Sequence, residues 1–373
     1  GYLVSLAESV PSAAHAEHYA RIVRDKGMLR DLIRCSGELA ELGYAQHPSA
    51  EELLDHAEQK LFAVTERRIS RQANRLRDLL EPLFKQIEMR DESYLSGIAT
   101  GFTELDELTS GFQKGDLIIV AGRPSMGKTA LGLTMADHMA GSTEPAVRVA
   151  FFSMEMSNQQ VAQRILCSRG KVDSHKFRRH MLDEEDINRL GHVCDELAKA
   201  PFYVDDTPGM TVLELRAKAR RLARQYDIQV IFVDYLQLMR ASGTESRQQE
   251  IAAISAGLKA LGRELNIPII AMAQLNRQAE GREGHRPRMS DLRESGAIEQ
   301  DADVVLLIHR EEYYKPQQID VQGIAEIIIA KQRNGPTDTV KLNFNRRLTR
   351  FDNLFQGSVS GADGYAASEE APF

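Results

Sequence analysis

Lys128 and Thr129 are the residues best suited to chemistry in this chain, and they close the run Gly122-Arg123-Pro124-Ser125-Met126-Gly127-Lys128-Thr129. The spacing is G-x-x-x-x-G-K-[ST], the pattern of a phosphate-binding loop. Its glycines let the backbone curl until N–H groups point at phosphate oxygens. A helix opening at its end adds a positive dipole terminus to the same charge. The nucleotide-binding set is then Ser125, Gly127, Lys128, Thr129 and Ala130. Lys128 reaches the β- and γ-phosphates of ATP, and Thr129 offers a hydroxyl ligand to Mg²⁺.

Other polar residues sit where such a loop needs partners. The apolar run Ile231-Phe232-Val233 ends in Asp234, the place for a carboxylate that holds Mg²⁺ through water. Glu155, in Phe152-Ser153-Met154-Glu155-Met156-Ser157, closes the strand after the P-loop helix. In a sheet ordered like that of recombinase-type ATPases this strand neighbours the P-loop strand, and Glu155 could then deprotonate the attacking water. It could equally be an acid beside a helix start that Ser157 caps. Gln274, after the run 267–273, is either a γ-phosphate sensor or a loop amide bonded to backbone. Lys331 and Arg333 alternate just before Asn334-Gly335, so their side chains point the same way along a strand. They read as a cationic finger for a neighbour's nucleotide, or as the charges of a solvated edge strand. The stretch 277–293 sets Arg277, Arg282, Arg286, Arg288 and Arg293 against Glu280, Glu283 and Asp291, with Gly281, Gly284 and Pro287 between them. It reads as a mobile basic loop for a polyanion backbone, without aromatics for base stacking, or as a plain surface loop.

These groups must be held by a scaffold, and the chain has the pattern of one. Nearly continuous apolar runs at 116–121, 147–153, 228–234, 267–273, 302–308 and 324–330 read as strands buried on both faces. Helical patterns around 128–140, 157–168, 211–226 and 247–264 lie between the earlier ones, which is βαβ alternation. The last two runs come close together and Asn334-Gly335 follows, so the sheet is expected to end in antiparallel strands. The first 95 residues read as helical: a stripe from Leu29 to Leu42 stopping at Gly43, a capping box at Ser49 and Glu52, and a stripe from Leu76 to Ile87 that Pro82 either kinks or delays. They form either a small helical domain or a linker whose last helix docks on a neighbouring subunit. The end of the chain, rich in Gly, Ser and Ala and without Lys or Arg after Arg350, is expected to be a disordered acidic tail.

Composition narrows the classes. The 373 residues, 42% hydrophobic and 27% charged, are ordinary globular material. No apolar run reaches the roughly 20 residues that span a bilayer, and the start has no signal-peptide pattern, so a cytoplasmic protein with no membrane partner is expected. Cys35, Cys167 and Cys194 are scattered, which fits a reducing compartment rather than a disulfide scaffold or zinc site. A net charge of −7 excludes binding nucleic acid by bulk attraction and requires a local basic surface.

Seven ordered stretches together resemble the DnaB-type replicative helicases of bacteria: TGFTELDELTSGFQKG, GRPSMGKT, FFSMEMS, IFVDYLQLM, AQLNR, MSDLRESGAIEQDAD and EIIIAKQRNGP. The resemblance runs from residue 1 to about residue 352. It implies a RecA-like P-loop ATPase domain with a mostly parallel sheet over 96–352, a helical linker over 26–95, the end of a helical N-terminal domain over 1–25 with most of that domain missing, and an acidic tail over 353–373. It implies a homohexameric ring that hydrolyses ATP between subunits, moves 5′ to 3′ along single-stranded DNA and unwinds duplex, with a primase and a helicase loader as partners. By the same resemblance Glu155 is the catalytic base, Asp234 the magnesium-associated acid and Arg164 an arginine beside the nucleotide. Gln274 couples the γ-phosphate to the DNA loop, Lys331 and Arg333 reach the neighbour's ATP, and Arg293, Glu294 and Gly296 contact the DNA backbone. A recombinase-like or branch-migrating ATPase, or a ring that binds ATP only to assemble, are the rival readings. Strand exchange without processive unwinding would mark the first, and absence of DNA-stimulated turnover the second.

Overall fold

The computed structural model describes residues 16–44, 53, 57, 60, 75–77, 80, 81, 84, 95–240, 246–276, 280, 282 and 284–354. The Ser49/Glu52 capping box, Pro82, Arg277, Gly281, Glu283, the chain before residue 16 and the tail after 354 lie outside the described residues. So do the side chains of Arg293 and Glu294.

The chain divides into two units, residues 1–90 and 91–373. In the first, α1 (Ala16–Tyr44) runs unbroken through positions 25 and 26 and includes Gly43, with the residues after Tyr44 outside the described ones. Val23 and Ile33 are mostly exposed on α1 while Cys35 is buried, and Lys60 pairs with Glu38 at 2.7 Å.

The second unit is built on a nine-stranded sheet ordered β3-β2-β4-β5-β1-β6-β7-β8-β9. Its strands are β1 (Leu117–Gly122), β2 (Val149–Ser153), β3 (Phe202–Asp205), β4 (Val230–Asp234), β5 (Ile269–Gln274), β6 (Val304–His309), β7 (Ile324–Gln332), β8 (Thr339–Asn345) and β9 (Arg350–Asn353). The pairings from β3 across to β6 are parallel, and β6 to β9 pair antiparallel. The six expected strands all form. The turn after β7 contains Asn334-Gly335 and leads into β8, as the hairpin signal predicts. The sequence reading does not anticipate β3, β8 and β9; Asn353, assigned there to the tail, ends β9 and accepts a hydrogen bond from Thr103 N at 3.0 Å.

Side chains on the two sheet faces feed two apolar layers. Ile118, Val120, Phe151 and Phe232 pack with Leu131, Met135 and Met139 of α3 (Lys128–Gly141), following α2 (Thr103–Thr109). Leu117, Ile119, Ile231 and Val233 pack on the other face, against α8 (Arg247–Leu265). Between lie α4 (Asn158–Arg169), α5 (Ser174–Arg178), α6 (Glu184–Leu197) and α7 (Val212–Tyr226), then α8. Residues Ile251, Ile254, Leu258 and Leu261 of α8 recur at helical spacing and are buried. Each such side chain contributes about 1.5–3 kcal/mol of burial. Coverage on both faces explains why β1, β4 and β6 are continuous apolar runs, whereas β8 alternates buried Val340, Leu342 and Phe344 with exposed Lys341 and Asn343. Both Ser157 and Thr211 close capping boxes that start α4 and α7.

Sheet order corrects one expectation. β1 lies between β5 and β6, and β2 is separated from it by β4 and β5. The Glu155 strand is therefore not the neighbour of the P-loop strand. The chain leaves β1 outward to β2 and β3, returns through β4 and β5, and crosses to β6. The order reverses around β1, and a cleft at the carboxyl ends of such strands is where ligands bind.

Candidate active site

The P-loop occupies that cleft. Ser125 and Gly127 take left-handed backbone conformations, with φ of 67° and 100°. Gly127 has a second constraint: a Cβ there would come within 3.0 Å of the Phe351 ring. Arg310, buried on the ring of Phe344 and paired with Glu312, donates from Nη1 to the Ser125 carbonyl at 3.1 Å. The loop is thus clamped from beneath by residues nearly two hundred positions away, which no local pattern announces.

Lys128 opens α3, and its ammonium donates to Gly122 O at 3.1 Å. Burial pushes the Lys128 ammonium down, opposed by the charges of Asp234 and Glu155. Thr129 Oγ1 donates to Asp234 Oδ2 at 2.7 Å. Asp234 is 1% exposed, and its Oδ1 is buried without a partner. Burial raises the Asp234 carboxyl despite the Thr129 hydrogen bond. A hydroxyl oxygen beside an orphaned carboxylate oxygen is a hard-donor set that fits Mg²⁺.

Although two strands separate β2 from β1, Glu155 still reaches the site. Ser153 of β2 pairs with Asp234 of β4, and Met154 N donates to Asp234 O at 2.8 Å. Ser153 Oγ donates to Met156 O at 2.7 Å and so shapes the turn that leaves Glu155 exposed at the strand ends. Arg164, half-buried on α4, has its guanidinium pushed down by burial, with Asp234 and Glu155 as opposing charges. Lys128, Thr129, Glu155, Arg164 and Asp234 therefore form one electrostatic cluster. Ser125 and Gly127 lie in its loop, and Ala130 is buried in the first turn of α3.

Gln274 ends β5, in register with Gly122. Gln237 brackets its backbone, donating to Gln274 O and accepting from Gln274 N, both at 3.1 Å. With Arg123, Tyr235, Arg247 and Asn276 these two glutamines line a cleft of about 500 Å³ beside the P-loop.

Lys331 and Arg333 do point the same way, but onto their own subunit. Lys331 Nζ donates to Glu299 O and Ala302 O, each at 2.6 Å, and Arg333 Nη2 donates to Gln300 O at 2.7 Å. These carbonyls belong to the end of α9 (Gly296–Asp301), which follows the helical turn Met289–Ser295. Gly296 is the first residue of α9, so the segment expected to touch DNA leads directly into the helix these cations hold.

Two arginines of the loop 277–293 have internal carboxylate partners. Arg282 pairs with Asp291, whose side chain is 0% exposed, and Arg286 pairs with Glu326 at 3.2 Å. His285 stacks on Tyr314 with centroids 4.2 Å apart. Arg288 is exposed, and Arg277 and the side chain of Arg293 lie outside the described residues. Among its described residues Arg282 and Arg286 are structural ties.

Residues 97–353 match the family described as DnaB-like helicase C terminal domain. The chain is 47% identical over 357 residues to the replicative DNA helicase DnaB of Geobacillus stearothermophilus, covering 95% of this chain and 78% of the relative. It is 45% identical, with the same coverage, to the replicative DNA helicase DnaC of Bacillus subtilis. A solved structure of a DnaB-like replicative helicase, described with its interactions with primase, superposes with a TM-score of 0.78 at 32% identity, over 95% of this chain and 83% of that one. With a P-loop cluster at the switch point of a mostly parallel sheet and these similarities over nearly its whole length, the chain belongs to the DnaB family of replicative DNA helicases.

Proposed function

We propose that this chain is the motor of a homohexameric ring that couples ATP hydrolysis to 5′ to 3′ movement along single-stranded DNA and parts duplex at the replication fork. The observation that carries the reading is the cluster around Asp234. A phosphate loop, a hydroxyl–carboxylate pair and an exposed glutamate meet at the strand ends of a chain of this family.

In the catalytic step Ser125, Gly127, Lys128 and Ala130 hold the phosphates and Arg164 lies beside the nucleotide. Glu155 accepts a proton from water as its oxygen bonds to the γ-phosphorus and the bond to the β,γ-bridging oxygen breaks. Thr129 and Asp234 would hold Mg²⁺, which would supply positive charge to the phosphate oxygens. Gln274 senses the γ-phosphate and passes its loss to the segment with Arg293, Glu294 and Gly296, which grips the DNA backbone. Lys331 and Arg333 of a neighbouring subunit neutralise charge developing on the transferred group. Phosphate contacts of this kind move along any sequence. Primase and a helicase loader are the protein partners, and the cytoplasm is the site of action. No described helix is long and apolar enough to cross a membrane.

The test is ATP turnover with and without single-stranded DNA, beside mass by light scattering and unwinding of forks carrying a 5′ or a 3′ loading tail. DNA-stimulated turnover by a hexamer that opens only 5′-tailed forks supports the proposal. Turnover indifferent to DNA, or strand exchange without unwinding, overturns it.

A further inference from the structure

Arg123, inside the P-loop, is 9% exposed, and its partners come from the far side of the cleft. Nε and Nη2 both donate to Glu280 Oε1, at 2.8 and 2.7 Å, and Nη1 donates to Leu275 O at 2.8 Å. A guanidinium satisfied in this way is a rigid strut, because its planar fork fixes direction as well as distance. Two residues further on, the same segment carries other ties. Arg282 pairs with Asp291, Asp291 Oδ2 accepts from Arg288 N at 2.8 Å, and Asp291 O accepts from Asn276 N at 3.1 Å. Asp291 lies within the turn Met289–Ser295, which leads to α9. The phosphate loop is thus tied to Glu280 side chain to side chain, while the turn before α9 is tied to Arg282 and, just past the end of β5, to Asn276.

We infer that the Arg123–Glu280 ion pair is a positioning clasp: it transmits the placement of the 280–295 segment on DNA to the phosphate loop and so sets how strongly DNA accelerates hydrolysis. The inference rests on the reading that this segment contacts DNA. Arg123 belongs to the phosphate loop itself, so tension on Glu280 reaches that loop directly through the guanidinium.

The experiment is a double-mutant cycle on the full chain with Glu280→Gln, Arg123→Gln and both together. It reads the ratio of turnover at saturating single-stranded DNA to turnover without DNA, together with the DNA concentration at half-stimulation. Each single variant is expected to cut the ratio at least threefold, the double variant to be no worse than the poorer single, and Glu280→Asp to recover part of the loss. The half-stimulating DNA concentration is expected to stay within twofold in Glu280→Gln, because Glu280 does not grip DNA. Binding of a fluorescent oligonucleotide to Arg293→Ala tests the underlying reading. If Arg293→Ala weakens DNA binding while Glu280→Gln keeps the parental ratio, or if the single losses multiply in the double variant, the clasp is overturned and the DNA segment stands. If Arg293→Ala binds DNA like the parent, the DNA segment falls and the clasp falls with it.

Discussion

The ammonium of Lys331 lies 2.6 Å from the carbonyl oxygen of Ala302 and 2.6 Å from that of Glu299. A third carbonyl, that of Gln300, is 3.4 Å away. An ammonium has three protons, so in this arrangement all of them are directed at the end of α9. Lys331 must give up carbonyls before it can touch a neighbour's phosphate. Arg333 is also tied, to Gln300 O at 2.7 Å and to the Asp303 carboxylate at 3.5 Å, but its side chain is 43% exposed and a guanidinium carries five N–H groups. The finger in trans is therefore expected to be led by Arg333, with Lys331 following as α9 shifts.

Mixing subunits tests that assignment. Arg333→Ala is expected to lower turnover by about 10³-fold or more, the scale of a lost arginine finger, and Lys128→Ala to abolish it. In randomly mixed rings about a quarter of the interfaces pair an intact Lys128 with an intact neighbouring Arg333. A corresponding fraction of activity should return. Rings shown by mass to contain both variants and still inactive would refute donation in trans.

Lys331 carries a separate prediction about stability. Lys331→Met keeps the aliphatic stem but orphans carbonyls at the end of α9. A loss of about 1–2 kcal/mol is expected, because hydrogen bonds to charged groups are stronger than neutral ones. Chemical denaturation without nucleotide measures it. A variant as stable as the parent would mean that water replaces the ammonium at no cost.

Glu155 is exposed, while Asp234 beside it is buried and has an orphaned oxygen. This asymmetry suits a base that must meet water and a ligand that must meet a cation. Glu155→Gln should keep ATP binding within a few-fold and lower turnover by about 10²–10⁴-fold, the usual scale of a lost general base. Asp234→Asn should instead raise the Mg²⁺ concentration needed for half-maximal nucleotide binding. Near-parental turnover in Glu155→Gln would remove Glu155 from the role.

Much of this was legible before any coordinates. The P-loop, six of the nine strands and the helices between them are written locally, in glycine spacing, unbroken apolar runs and capping residues. The partners of Lys128 were legible only as candidates, because Asp234 and Glu155 meet it through sheet order. Nothing in the run ending at Ser153 says that Val233 and Asp234, rather than the P-loop strand, lie beside it; parallel strands of similar composition are interchangeable at that level. The alternation Val340, Leu342, Phe344 carried a readable period of two and was passed over, whereas the four-residue β3 at a half-buried edge offered no comparable signal. Asp291 and Glu326 take up Arg282 and Arg286, and Glu326 lies on β7, outside any count made within the loop 277–293. Arg310 and Arg123 act across 185 and 157 residues and leave no mark in local pattern at all.

Asp116, just before β1, gives the protein a predicted response to acid. Burial, then the nearby Asp303 charge, push its carboxyl up to about 6, against which Lys259 at 3.7 Å and Arg333 act only in part. The sign follows from proton binding. Between its ordinary value near 4 and about 6 the folded protein holds a proton on Asp116 that the unfolded chain has released. This group therefore weakens the fold as pH rises through that window, and its effect is level above it. Asp116→Asn keeps the shape without the charge, and should stabilise the protein at pH 7.5 relative to pH 5 by on the order of 1 kcal/mol, compared with the same difference in the parent. Urea unfolding at the two pH values reads this directly. If Asp116→Asn instead costs more stability at pH 7.5 than at pH 5, then the ion pair with Lys259 outweighs desolvation and Asp116 is held ionised in the fold.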